Sequence, residues 1–313
     1  MSGETMQVYF LGTAGALPSP LKNPACLMVR RGADTLLFDC GEGAQQQMMR
    51  ARTGFTVDAI FITHWHADHF LGVFGLVQTL SFMGRAEPLT IYGPEWVHEF
   101  AEDVRHMGKT QMRFVLKSEE VLPGMVVPFD GYTVRAFKTR HGITSVGYVL
   151  EEDPRPGRFD REEAIRLGVK PGPLFGRLQR GEEVLVTVDG QERIVRPEQV
   201  VGVERPGRKV IYTGDTRPVI PAVSEIGMDA DLLVHDATYN DTDLARAKEV
   251  FHATAGEAAD VARAIRARTL ALIHISSRYT ASTDHLADAK QRFDGEVIAP
   301  VDLTMIEIPF RDA

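Results

Sequence analysis

Residues 58–72, Asp-Ala-Ile-Phe-Ile-Thr-His-Trp-His-Ala-Asp-His-Phe-Leu-Gly, constrain this chain more tightly than any other stretch. The apolar run 59–62 predicts a buried strand, and His64, His66, Asp68 and His69 follow it directly. In extended backbone alternate side chains share a face, so His64 and His66 are expected to point the same way. A turn after His66 would aim Asp68 and His69 at a neighbouring point. Imidazole and carboxylate without thiolate suit zinc or another borderline divalent cation, and do not suit a structural zinc knuckle. The spacing therefore predicts two adjacent cations, one on His64 and His66, the other on Asp68 and His69. A histidine-rich loop without metal is the plain alternative, and the H-x-H-x-D-H spacing directly after a strand weighs against it.

This motif resembles the signature of the metallo-β-lactamase superfamily. The chain around it, 313 residues with 44% apolar and 25% charged side chains, has the make-up of an ordinary soluble protein with a sizeable core. No run of about 18 apolar residues predicts a membrane span. The opening Met-Ser-Gly-Glu-Thr-Met lacks the basic start and apolar core of a secretory leader. Cys26 and Cys40 are too few for a disulfide framework, so a reduced, cytoplasmic setting is expected, with no membrane partner. A net charge of −8 argues weakly against a nucleic-acid partner. The distribution of that charge matters more than its sum.

Along the chain, strands are predicted at 7–11, 25–30, 35–39, 59–62, 89–92, 113–116, 125–127, 132–137, 146–150, 209–212, 231–234, 269–273 and 304–308. Helices are predicted at 42–52, 70–83, 94–107, from Thr254 to about residue 268, and at 284–293, with Thr254 as an N-cap. Strands punctuated by helices in both halves of the chain suit an α/β architecture. It is an αβ/βα sandwich, two mixed β-sheets packed face to face with helices outside. A single domain over residues 1–313 is expected, interrupted by residues 153–208.

That interruption differs in composition. Residues 154–209 hold twelve lysine and arginine against nine aspartate and glutamate residues, with recurrent proline and glycine. At its centre lies Pro-Gly-Pro-Leu-Phe-Gly-Arg-Leu-Gln-Arg-Gly, residues 171–181. Composition alone favours an ordinary surface insertion. The other reading is a protruding arm with a basic, aromatic-bearing tip.

Further ligand candidates each follow a predicted strand: His141 in Thr-Arg-His-Gly, Asp215 in Thr-Gly-Asp-Thr, and His274. Strand ends along one edge of a sandwich converge. We assign His64, His66 and His141 to one metal and Asp68, His69 and His274 to the other, with Asp215 bridging. Two divalent ions about 3.5–4 Å apart suit hydrolysis of a phosphodiester. Asp68 is placed to accept a proton from water, and His252, outside the ligand set, to protonate the leaving oxygen. Asp236 could hold the His252 tautomer. His98, His106, His285 and His235 are read as structural.

The residues quoted so far resemble, over nearly the whole length, the short form of the ribonuclease Z family of tRNA 3′-processing endonucleases. The resemblance rests on residues 64–69, His141-Gly142, Gly214-Asp215-Thr216-Arg217, His274 and Ser276-Ser277-Arg278-Tyr279. The family's flexible arm, with its Gly-Pro centre, matches Gly172-Pro173 and the residues around them. Its paired loops match His235-Asp236-Ala237-Thr238 and His252-Ala253-Thr254, with Asp236 where glutamate is usual and Ala253 where serine is usual. The resemblance implies removal of the 3′ trailer from precursor tRNA after the discriminator nucleotide, leaving a 3′-hydroxyl on the tRNA. It implies two divalent ions, zinc first with manganese or magnesium possible. It also implies a homodimer whose arm grips the tRNA of the other subunit, and substrate contacts at Gly172, Pro173, Arg177, Arg180, Arg278 and Tyr279. The alternative is a small-molecule phosphodiesterase, or another metal-dependent hydrolase of the superfamily.

Overall fold

Alternation along Met6–Gly12 sets the architecture. Met6, Val8 and Phe10 are buried on one face of the strand, with Gln7 and Tyr9 half-buried on the other. Both faces are covered, so the sheet that holds this strand lies between two apolar layers. The computed structural model describes residues 5–107 and 112–311. The opening residues 1–4, read as no secretory leader, lie outside the described residues.

Two seven-stranded sheets result. The first runs Thr304–Glu307, Met6–Gly12, Cys26–Arg31, Asp34–Phe38, Ala59–Phe61, Leu89–Gly93 and Leu116–Glu120 in spatial order. Its last four strands are parallel. The second runs Glu296–Ile298, Thr269–Ile273, Leu232–Asp236, Lys209–Tyr212, Val146–Glu152, Tyr132–Lys138 and Val126–Phe129, with its first four strands parallel. Between the sheets lies one core drawn from both, including Val8, Phe10, Phe38, Phe61, Tyr148, Tyr212 and Val234. Outside the first sheet, Met48, Leu76, Leu80, Phe100 and Val104 bring helices onto its other face. Outside the second, alanines of Ala255–Ala264 pack against Leu233, Leu270 and Leu272. This is the expected αβ/βα sandwich of mixed sheets.

Several elements differ from the reading of the sequence. The strand expected at 113–116 lies instead at Leu116–Glu120. It is the edge of its sheet and four of its five residues carry polar side chains, so apolar alternation cannot reveal it. The helix expected at 70–83 is two pieces, Ala67–Phe70 and Gly72–Phe82. The first piece carries Asp68 and His69. The helix after Thr254 stops at Ala264, and Ile220–Gly227 was not foreseen.

Residues Glu152–Gly207 form a second compact unit, distinct from Met1–Glu151 with Arg208–Ala313. Asp160 caps the helix Arg161–Arg166, its Oδ1 accepting from the Glu163 amide at 2.9 Å. Pro173 occupies the first turn of the helix Pro173–Gln179, where its missing amide costs nothing. The hairpin Val184–Val188 with Gln191–Val195 turns through Asp189-Gly190, both left-handed, as a tight two-residue turn requires. Ala164, Val169, Leu178, Val184, Val186, Val195 and Val200 make its core. The charge-rich composition conceals this small set of apolar positions.

The layers meet most tightly at Phe61. Its ring is fully buried, stacked on Phe38 at 5.3 Å and Tyr92 at 4.7 Å, and edge-on to Tyr148 at 5.2 Å. Phe61→Ala should cost about 3–5 kcal/mol, the range for buried aromatic truncation. Urea unfolding of the variant beside the parent checks this; a loss under about 1 kcal/mol would mean that this layer collapses to fill the gap.

Candidate metal centre and proton-donor site

Parallel strands of the two sheets end at one edge, and open α/β sheets build their sites beyond such carboxyl ends. Ala59–Phe61 of the first sheet leads to His64, His66, Asp68 and His69. Tyr132–Lys138, Lys209–Tyr212 and Thr269–Ile273 of the second lead to His141, Asp215 and His274. The turn before Asp215 needs glycine: Gly214 is left-handed, and a Cβ there would sit 2.7 Å from Thr63 Oγ1. Asp39 and His274 also hold positive φ, at 56° and 60°, without being glycine. Such backbone is kept where the surroundings over-determine it.

All seven candidate ligands meet. Asp215 Oδ2 lies 3.3 Å from His69 Nε2 and His274 Nε2, 3.7 Å from His64 Nε2 and 4.0 Å from His141 Nε2. His66 Nδ1 lies 3.1 Å from both His64 Nε2 and His141 Nε2. Asp68 Oδ2 lies 3.4 Å from His69 Nε2 and 3.3 Å from His274 Nε2. Three groups have their ligand atoms within 4.8 Å of one another, His64–His66–His141–Asp215, Asp68–His69–His274 and Asp215–His252–His274, and the first two together take in all seven candidates. Asp215 Oδ1 and His69 Nε2 are buried without a hydrogen-bond partner. Orphaned polar atoms in a native interior call for an explanation. A set of imidazoles and carboxylates around them fits a pair of divalent cations.

The electrostatics agree with that fit. Burial, with help from His69, pushes His64 well below the usual imidazole range, and burial also lowers His66 and His141. The shift favours the neutral imidazole, the form that coordinates a metal. Burial opposes charge on His69, but the carboxylates of Asp215 and Asp39 outweigh it and raise this group well above its ordinary range. Burial likewise opposes charge on Asp68 and Asp215; the imidazoles of His274 and His69 overcome it and hold both carboxyls well below the usual carboxylate range. A cation bound there would supply the positive charge that these carboxylates favour.

The rings are held from behind. Asp39 accepts from His69 Nδ1 at 2.6 Å, from the Thr63 amide at 2.8 Å, and from the Tyr212 hydroxyl at 2.8 Å. Thr63 Oγ1 lies 2.9 Å from His64 Nδ1, Thr238 Oγ1 2.8 Å from His274 Nδ1, and the Phe251 carbonyl 3.1 Å from His141 Nδ1. The sequence reading missed Asp39, although it follows a strand as the ligands do. Its place at the end of the run 35–39 makes it read as the last residue of that strand.

Beside the ligands stands His252. Its Nδ1 lies 2.9 Å from Asp236 Oδ2, so the shorter aspartate side chain does reach the imidazole. Asp236 is wholly buried and also accepts from the Thr216 amide, the Thr238 amide and the Thr238 hydroxyl. Burial disfavours the His252 imidazolium, but the Asp236 charge and hydrogen bond outweigh it and push the group up to about 9.

The expected substrate contacts fall on elements other than those that carry the ligands. Gly172, Pro173, Arg177 and Arg180 lie in the unit Glu152–Gly207. There Arg177 and Arg180 both pair with Glu182, at 2.9 and 3.1 Å. Phe175, expected at an aromatic tip, packs on Phe159 at 4.8 Å. Arg278 lies over the Tyr239 ring at 5.1 Å, and the Tyr279 hydroxyl donates to Asp243. Of the other histidines, His235 and His285 are buried, His98 lies 3.0 Å from Ser118 Oγ, and His106 lies 3.4 Å from Glu102. None joins the ligand set.

Known proteins are similar to this chain over nearly its whole length. The model of the metallo-beta-lactamase superfamily matches residues 20–266. A ribonuclease Z of Methanosarcina acetivorans is 49% identical over 308 residues, 98% of this chain and 99% of that protein. A ribonuclease Z of Haloferax volcanii is 50% identical over 311 residues, 99% of this chain and 97% of that protein. The crystal structure of human tRNase Z, short form, superposes with a TM-score of 0.69 at 27% identity, covering 97% of this chain and 100% of that one. The metallo-beta-lactamase fold protein YhfI of Bacillus subtilis, 20% identical with a TM-score of 0.67 over 97% of this chain and 99% of its own, shares the fold.

Asp39→Asn removes the charge behind His69 and keeps the shape. Outer partners of metal-bound histidines are typically worth 10–100-fold in affinity, so zinc binding should weaken by about that factor. Competition against a chromogenic chelator measures it, and an unaltered affinity would take Asp39 out of this role.

Proposed function

The chain belongs to the ribonuclease Z family within the metallo-β-lactamase superfamily, and from that premise we propose a full reading of its activity. It is a metal-dependent endoribonuclease that removes the 3′ trailer from precursor tRNA. The cut follows the discriminator nucleotide and leaves a 3′-hydroxyl on the tRNA and a 5′-phosphate on the trailer. The observation that carries this is the placing of an Asp-held histidine, outside the ligand set, beside seven converging ligands. His64, His66 and His141 would hold one cation and Asp68, His69 and His274 the other, with Asp215 shared. Bound there, two divalent ions supply Lewis-acid charge at the phosphate and make a water easier to deprotonate at neutral pH.

The chain's own residues supply the proton transfers. Asp68, ionised and in contact with the Ala16 amide at 3.0 Å, accepts the proton of the attacking water. The bond from phosphorus to the ribose 3′-oxygen breaks, and His252 gives that oxygen its proton. Asp236 fixes the His252 ring through Nδ1, which leaves Nε2 as the donating atom.

We infer zinc as the cation, because the ligand set is rich in imidazole, with manganese or magnesium as the other choices. Residues 153–208 are proposed as the arm that binds tRNA, part of a single domain over residues 1–313. Gly172, Pro173, Arg177 and Arg180 would contact the tRNA there, the two arginines at phosphates. Exposed ion pairs such as those with Glu182 add little stability, so phosphate can displace the carboxylate. Arg278 and Tyr279 are proposed as contacts nearer the cut. A homodimer, with the arm of one subunit on the tRNA of the other, and a cytoplasmic setting complete the reading. The two cysteines are free and buried, in keeping with a reducing compartment. No helix among the described residues is long and apolar enough to cross a membrane.

Purified protein with zinc or manganese should cut a 3′-extended precursor tRNA once, after the discriminator. Asp68→Ala should slow this by about 100-fold or more, the scale of a lost general base. Mapping the cut at nucleotide resolution checks both; no cut on precursor tRNA with a simple phosphodiester still turned over would reject the RNA substrate. Deleting residues 160–200 should spare hydrolysis of bis(4-nitrophenyl) phosphate and cripple RNA cleavage. Equal loss on both substrates would reject the arm.

A further inference from the structure

We propose that Arg217 and Glu257 form a positioning pair that sets where His252 stands relative to the metal ligands. The inference rests on the reading of His252 as the proton donor. Arg217 lies two residues beyond Asp215, yet its side chain is only 10% exposed and that of Glu257 only 16%. The two groups meet in a fork: Arg217 Nη1 donates to Glu257 Oε2 at 2.7 Å, and Nη2 donates to Oε1. Nη1 also donates to the main-chain carbonyl of His252. Glu257 in turn accepts from the Thr254 amide at 3.1 Å, while Thr254 Oγ1 accepts from the Glu257 amide at 3.3 Å.

Helix capping does not require the arginine. Thr254 and Glu257 complete a reciprocal cap for Ala255–Ala264 by themselves. The guanidinium comes from a different loop, and its third contact is the carbonyl of His252. Burying an ion pair costs desolvation, and a hydrophobic pair of similar size is often as stable. What the charged fork adds is directional: planar, bidentate contacts fix an angle as well as a distance.

The loop it holds needs support. Phe251, just before His252, is left-handed at φ 60°, a conformation that a bulky residue adopts only when its surroundings enforce it. The Phe251 carbonyl lies 3.1 Å from His141 Nδ1, the His252 amide donates to the Ala247 carbonyl at 2.9 Å, and the Arg217 amide donates to the Arg140 carbonyl at 2.8 Å. The Arg217 turn thus touches the segment before His141, the segment of His252 and, through Asp215, the ligand cluster. A displacement of about 1 Å at a reacting group can cost about 100-fold in rate.

The test compares leaving groups. The ribose 3′-oxygen must be protonated to depart, whereas nitrophenolate leaves without a proton. Metal-loaded Arg217→Lys, Glu257→Gln and His252→Ala are assayed on precursor tRNA and on bis(4-nitrophenyl) phosphate, with bound metal measured for each. Arg217→Lys and Glu257→Gln are expected to lower kcat on RNA by about 10–100-fold, up to the cost of such a displacement. Their KM should hold within about twofold, their metal content should match the parent, and their rate on the nitrophenyl ester should fall far less. Adding Arg217→Lys to His252→Ala should slow RNA cleavage no further than His252→Ala alone, because the pair acts through that ring.

Equal losses on both substrates, or a loss of bound metal, would make the pair a scaffold for the ligands and overturn the inference. If His252→Ala lowers the RNA-to-ester ratio and Arg217→Lys and Glu257→Gln do not, this inference fails while the proton-donor reading stands. If His252→Ala leaves the ratio at the parent value, both fall. Glu257→Gln keeps an acceptor for the Thr254 amide, so it breaks the ion pair with the helix cap intact should Arg217→Lys fail to fold.

Discussion

Asp215 Oδ2 lies between 3.3 and 4.0 Å from the Nε2 atoms of four histidines that come from three loops. Little else in the sandwich is so demanding. A carboxylate buried this deeply is tolerated only among groups that compensate its charge, and such groups gather around it only if every strand feeding the site ends at the right depth. The left-handed backbone at Asp39, Gly214 and His274 serves that one point. So does the Asp39 carboxylate, which receives His69, Thr63 and Tyr212 and so links the site to the aromatic core beneath.

The same geometry explains what the sequence discloses and what it hides. His64, His66, Asp68 and His69 are legible because they are close in sequence. His141, Asp215 and His274 are legible because each follows a run that reads as a strand, and strand ends converge. The sandwich itself follows from the alternation of strands and helices. Asp39 obeys the strand-end rule but was counted into its strand. Arg217 and Glu257 leave no trace of the kind periodicity detects, since their partnership spans 40 residues and exists only in the folded chain. The edge strand Leu116–Glu120 is hidden because its exposure removes the apolar pattern. In Glu152–Gly207 a few valines among many charges suffice for a core, and composition cannot weigh so few positions.

Charge is divided as sharply as structure. The chain is acidic overall, while residues 154–209 have more basic than acidic side chains. An acidic body suits a site that concentrates cations, and a basic segment suits contact with a polyanion. The pairing of Arg177 and Arg180 with one glutamate tempers that segment without neutralising it. Net charge alone would have hidden both tendencies.

The ligands are unequally shared between the sheets: His64, His66, Asp68 and His69 follow a strand of the first, while His141, Asp215 and His274 follow strands of the second. Elsewhere the sheets face each other mainly through side chains of an apolar core, with a short ladder between Ala14–Gly15 and Ile275–Ser276 and the Val146 amide on the Thr63 carbonyl as main-chain links. Ions bound at both ligand groups would therefore act as rivets between two plates. Separating the plates would break those bonds, so resistance to unfolding becomes a function of free metal concentration, rising logarithmically once the sites fill. For such a molecule, metal supply governs how long the protein lasts as well as how fast it works.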